Sequence, residues 1–212
     1  MTGVKAAMDR VFATRGRSTL GPEEIEALTA LAAQVRELNH AVIHTHLPAA
    51  EVAEITDLLG ELTARLASAT REAPPVVGLP DGTIRQPASP VSGYLNPIAP
   101  PVKIHAQPGV VSRSEFTLSD LYEGPPGFVH GGVSALILDE LLGNAAAANG
   151  TPGMTATLEL RYRRPTPLNV PLVAEARTTR VEGRKTFVDA TITNPQGQVT
   201  IEATAMFIMP NR

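Results

Sequence analysis

His130-Gly131-Gly132-Val133-Ser134-Ala135-Leu136-Ile137-Leu138-Asp139-Glu140-Leu141-Leu142-Gly143-Asn144-Ala145-Ala146-Ala147-Ala148 is the stretch on which the fold of this chain turns. It is long enough for about five helical turns, and Asn149-Gly150 follows as a helix stop. Asp139 and Glu140 are its only charges, so the helix is apolar nearly all round. Such a helix is expected to be buried on most faces, and a sheet must wrap around it to do so.

The flanking sequence supplies that sheet. From Val102 onward the pattern alternates with period two over Ser114–Leu118, Ala156–Tyr162, Leu172–Val181, Thr186–Ile192 and Val199–Phe207. Glu182-Gly183 and Asn194-Pro195-Gln196-Gly197 are hairpin signals between them, which makes the sheet antiparallel. One strand, a long buried helix, then about four strands curling over it is the order of the hotdog fold, an α+β architecture.

Upstream the composition changes twice. Residues 21 to 72 carry nine acidic and three basic side chains, net −6. Gly21-Pro22-Glu23-Glu24 reads as a helix start, with proline in the first turn and acids against the positive end of the macrodipole. Ile25, Leu28, Ala32, Val35, Leu38 and Val42 follow at helical spacing. A second helix opens near Pro48 with a narrow seam of Val52, Ile55, Leu59, Leu62 and Leu66, so a helical hairpin is expected. Residues 73 to 101 hold eight of the nineteen prolines and two charges, the composition of a linker or a draped arm. The organisation read from sequence is therefore a helical extension over 1–72, a proline-rich arm over 73–101 and a hotdog domain over 102–212.

Composition excludes several function classes. With 18 Lys plus Arg against 21 acidic residues, no Trp, three Tyr and five Phe, the chain offers neither a basic field nor stacking platforms for nucleic acid. The absence of cysteine removes disulfides, thiolate metal sites and cysteine nucleophiles. No apolar run reaches the roughly 18 residues of a spanning helix, and a cytosolic protein is expected, without a membrane partner. Lys5, Arg10, Arg15 and Arg17 against Asp9 give the first twenty residues the look of a basic tail or a transit peptide, and the tail is the preferred reading.

Tyr122-Glu123-Gly124-Pro125-Pro126-Gly127-Phe128-Val129-His130-Gly131-Gly132, then Asp139, Met154-Thr155-Ala156 and Tyr162-Arg163-Arg164-Pro165-Thr166-Pro167-Leu168 form a specific set. Over roughly residues 92 to 209 the chain resembles the hotdog-fold acyl-CoA thioesterases of the phenylacetate-pathway (PaaI) type and the related human thioesterase-superfamily proteins. The resemblance implies hydrolysis of acyl-CoA to a free acid and coenzyme A. Asp139 would then be nucleophile or general base on water, active sites would lie between paired subunits, and no cofactor is needed beyond the coenzyme A of the substrate.

Physical chemistry gives the same residues a task. A helix that opens on two glycines exposes unpaired N–H groups to a thioester carbonyl as it becomes an oxyanion, and Gly131 or Gly132 would donate. Asp139 in an apolar helix is costly without a functional reason, and Glu140 is the competing acid. Nine helical residues separate His130 from Asp139 by about 13 Å and turn them to opposite sides, so a site using both needs two subunits and implies a homodimer or a dimer of dimers. Thr155 is suited to steer Asp139 or hold a water, yet strict alternation groups it with Thr157, Glu159 and Arg161, away from Leu158 and Leu160; it must face a neighbouring subunit or sit on a bulge. Arg163, Arg164, Arg184 and Lys185 are candidate partners for coenzyme A phosphates, with Arg180 near them. His40 and His44 stand at i and i+4, with His46 beyond, but the sequence brings no carboxylate beside them; they are assigned as cations favoured at a helix C-terminus, with no metal site. His130 has a plain alternative as a helix cap, and Asp139 as half of an ion pair. The competing reading of the whole chain is a non-catalytic hotdog module that binds acyl-CoA or a protein partner.

Overall fold

The computed structural model describes residues 18–78, 84–106, 111–149 and 152–209, so the basic residues expected to form a tail lie outside it. In chain order the elements are α1 (Pro22–His44), α2 (Ala49–Ala67), the two-residue strands β1 (Val77–Gly78) and β2 (Ile84–Arg85), β3 (Ser112–Thr117), a 3-10 turn over Asp120–Tyr122, α3 (Gly131–Ala148), β4 (Met154–Tyr162), β5 (Pro171–Glu182), β6 (Lys185–Thr193) and β7 (Val199–Ile208). The five long strands form one antiparallel sheet in the order β3-β5-β6-β7-β4, and α3 packs across all five. This is the hotdog arrangement.

The sequence explains how closely helix and sheet fit. Ile137, Leu138, Leu141, Leu142, Ala145 and Ala146 are buried along α3. Against them the sheet sets small side chains, Ala174, Ala176, Ala190, Ala203 and Ala205, framed by Phe116, Leu172, Val188, Ile192, Ile201 and Phe207. A floor of alanines lets the helix sit deep in the curved sheet, and each buried leucine contributes about 2–3 kcal/mol of transfer free energy. Both hairpins close as expected, with Gly183 at φ 58° and Gly197 at φ 73°, conformations that a side chain disfavours.

Burial of α3 is less complete than its composition implies. Gly132 and Leu136 are exposed, the latter at 39%, and Asp139 and Gly143 are half-buried. At about 100° per residue these four lie within one 60° stripe, so a single face of the helix escapes its own sheet. That stripe runs beside β4, an edge strand with no partner on its outer side among the described residues.

The N-terminal helices form where the sequence places them, with Pro22 in the first turn and the Glu24 carboxylate accepting from the Gly21 N–H. They do not bury a shared seam, as the expected hairpin would. Within α1 only Ala32 is buried, and α2 buries nothing: Val52, Ile55, Leu62 and Leu66 remain 38–57% exposed. The chain on either side is closed instead by a bridge from Thr19 to Val76 and by the Arg71–Glu24 ion pair. The proline-rich stretch is a draped arm: Val91, Ala99 and Val102 are buried, and Tyr122 Oη donates to the Ala99 carbonyl. The hotdog core thus reaches back to Val91, upstream of the boundary read at Val102.

Candidate active site

His130 is the N-cap of α3, and its Nδ1 accepts the Gly132 N–H at 3.0 Å. That is the capping role open to it from the sequence, and it takes one of the two glycine donors out of play. The Gly131 N–H meets no acceptor among the described residues. Gly131 is therefore the free donor at the positive end of an 18-residue helix. Beside it opens a cavity of about 520 Å³ lined by Phe128, Gly131, Ser134, Tyr162, Arg164 and Ile201, among others. The Tyr162 phenol, given no role of its own from the sequence, donates to the Gly131 carbonyl at 2.9 Å; its place in the Tyr-Arg-Arg-Pro run is the signal that marks it. The approach is set upstream as well, since the His130 N–H donates to the Tyr122 carbonyl. Burial pushes the Tyr122 phenol above its ordinary range, with Arg36 opposing, so it stays a neutral donor.

Asp139 lies eight residues further on, about 12 Å along the axis, on the open stripe. Thr155 Oγ1 donates to Asp139 Oδ1 at 2.9 Å. Strict alternation forbids that contact, and a β-bulge allows it. Thr155 pairs with Phe207 and Thr157 with Met206, so Ala156 is the extra residue and Thr155 shares the helix-facing side with Leu158 and Leu160. Gly153 lies just before the bulge, where a Cβ would meet the Ile208 backbone at 2.7 Å. Glu140 is engaged elsewhere, its Oε1 accepting from Ser92 Oγ at 2.7 Å. Asp139 is thus the acid left facing outward with an oriented carboxylate.

The basic candidates split between two places. Arg163 and Arg164 line the cavity at Gly131, but the Arg163 guanidinium grips Glu202 at 2.7 Å, whose carboxyl this hydrogen bonding holds below its ordinary range, and Arg164 donates to the Val199 carbonyl. Arg184 and Lys185 lie at the opposite end of the sheet. Lys185 pairs with Ile208 and Ile208 with Met154, which puts Lys185 two strands, about 10 Å, from the row beside Thr155. Arg184 donates to the Met209 carbonyl. Within one chain the glycine donor with one basic pair lies at the N-terminal end of α3, and Asp139, nearer the other pair, lies about two turns further along the helix. One absence read from the sequence is corrected: a carboxylate does meet the histidines, Asp120 Oδ2 lying 3.4 Å from His44 Nε2.

Comparison with known proteins now decides the family. A crystal structure of a thioesterase superfamily protein superposes with a TM-score of 0.78 at 34% identity, covering 92% of this chain and 96% of that one. The chain belongs to the thioesterase superfamily. The family model of the same name matches residues 126–201, which hold His130, Gly131, Asp139 and Thr155. Among curated relatives, the acyl-coenzyme A thioesterase THEM4 of Mus musculus is 42% identical over 87 residues, 41% of this chain and 37% of that protein. THEM4 of Xenopus laevis is 38% identical over 87 residues, 41% of this chain and 39% of its own length. This superfamily member therefore aligns with less than two-fifths of either relative.

Proposed function

We propose that this chain hydrolyses acyl-CoA thioesters, releasing a free acid and coenzyme A. The observation that carries the proposal is the Thr155-oriented carboxylate of Asp139 on the uncovered stripe of α3, beside the outer edge of β4, which has no partner among the described residues. The similarity to acyl-coenzyme A thioesterases over 87 residues supports the substrate class.

The site is read as shared between two copies of the chain. An edge strand with Met154 74% exposed and Tyr162 56% exposed, next to the open stripe, is a surface that a second copy would cover. A pseudo-continuous sheet through β4 would bring Gly131 of one copy toward Asp139 of the other. It would also gather Arg163 and Arg164 with Arg184 and Lys185 around one substrate. In that site the Gly131 N–H stabilises the oxyanion, the cavity receives part of the thioester, and Asp139 attacks or activates water. A cytosolic location belongs to the same proposal; among the described residues no helix is long and apolar enough to cross a membrane.

The test is a hydrolysis screen of short, medium, long-chain and aromatic acyl-CoAs, with Asp139→Asn as the decisive variant. Turnover by the variant should fall by on the order of a hundredfold or more. Mixing Asp139→Asn with Gly131→Pro, which removes the free N–H at a position where proline suits the helix, should restore activity on subunit exchange. Near-normal turnover by Asp139→Asn, or no recovery despite exchange, would refute the respective assignment. Tight acyl-CoA binding with no hydrolysis across the screen would favour the binding-module reading.

A further inference from the structure

We propose that His40, His44 and Asp120 form a binding site for a divalent transition-metal ion of the zinc class, clipping α1 to the hotdog core. The histidines occupy the last turns of α1, one helical turn apart, with ring centroids 4.5 Å apart and planes tilted by 41°. Asp120 opens the 3-10 turn after β3. The three potential ligand atoms lie within 4.8 Å of one another. Around an ion held tetrahedrally by bonds of about 2.0–2.1 Å, ligand atoms stand about 3.3–3.4 Å apart. His44 Nε2 and Asp120 Oδ2 are already at 3.4 Å, and a ring nitrogen of the exposed His40 lies within 4.8 Å of the other ligand atoms.

The carboxylate is held for this purpose. Asn169 Nδ2 donates to Asp120 Oδ1 at 2.7 Å, which leaves Oδ2 turned to the histidines. Asn169 is the one non-glycine residue with positive φ, 58°, among the described residues, and its own N–H donates to the Leu118 carbonyl. A residue held in that backbone region to fix the rotation of a ligand carboxylate is the kind of support that metal sites require. Without an ion, His44 meets the carboxylate and the His40 ring stands beside that of His44. With one, both lone pairs and the carboxylate charge are satisfied, and water completes the shell from the exposed side. Two imidazoles and one carboxylate suit zinc, cobalt or nickel, whereas calcium and magnesium prefer all-oxygen sets. The clip would also stiffen the turn ending at Tyr122, whose carbonyl holds the His130 N–H.

Calorimetric titration of the chelator-treated 212-residue chain with zinc chloride tests the site. One ion per chain should bind, and cobalt in its place should give the visible absorption of a four-coordinate ion. His40→Ala, His44→Ala and Asp120→Asn should each weaken binding by roughly tenfold or more, and Asn169→Ala by about tenfold, while His46→Ala binds as the native chain does. Zinc should raise the melting temperature of the native protein and leave that of His44→Ala unchanged. Absence of stoichiometric zinc binding overturns the proposal, as does binding that survives both His40→Ala and His44→Ala.

Discussion

Replacing Thr155 by valine isolates the contact that orients Asp139. Valine keeps the branched shape that suits β4 and deletes only the hydroxyl that donates to Asp139 Oδ1 at 2.9 Å. A hydrogen bond to a charged acceptor is worth about 1.5–3 kcal/mol. Thr155 is exposed and Asp139 half-buried, so water recovers part of this, and about 1–2 kcal/mol should be lost from the transition state. At about 1.4 kcal/mol per factor of ten, turnover falls roughly 5- to 30-fold. Stability should change by less than about 0.5 kcal/mol, because the site is at the surface. The assay is release of coenzyme A followed with a thiol-reactive chromophore. The chain has no cysteine, so every thiol detected comes from product. Thr155→Ser should recover most of the loss. Turnover above half of native for Thr155→Val, or equal damage from serine and valine, would show that the hydroxyl does not position the acid.

Other outcomes follow from neighbouring contacts. Gly131→Ala puts a Cβ 3.2–3.3 Å from the Tyr162 ring at the cavity, and kcat/KM should drop about tenfold with an unchanged denaturation midpoint. Glu140→Gln, whose carboxylate is occupied by Ser92, should change turnover by less than about threefold. Leu138→Ala or Leu142→Ala, each fully buried, should cost about 2–5 kcal/mol in urea unfolding. Glu202 has a lowered folded-state pKa, so its link to Arg163 stabilises above the ordinary glutamate range and is lost as pH falls through the lowered value; the stability advantage of native protein over Glu202→Gln should vanish on acidification.

The helix and the strands were legible because both are written in periodicity. An apolar stretch closed by Asn149-Gly150, with alternating strands around it, leaves few ways to bury a core, and even the hairpin glycines announced their turns. Asp139 and Gly131 stood out as candidates from residue type and spacing. What escaped is contact between distant segments. Nothing local in Asp120 points to His44, and nothing in Ser92 points to Glu140; both contacts arise from how the arm and α1 lie over the finished domain. The apolar seam of α2 was visible too, but periodicity names a face and not what covers it, and among the described residues that face is open.

The surplus residue at Ala156 decides which face of β4 carries the Thr155 hydroxyl. In the bulged register it faces α3; with the bulge ironed out and the strand start slid by one residue, Ala156 takes its place opposite Phe207 and the hydroxyl swings to the far side of the sheet. Gly153 pins the first arrangement, since its lack of a side chain lets the chain lie against the Ile208 backbone. A methyl group added at Gly153 would meet the Ile208 backbone and press against this register, so the Thr155–Asp139 contact can be lost with both partner residues intact.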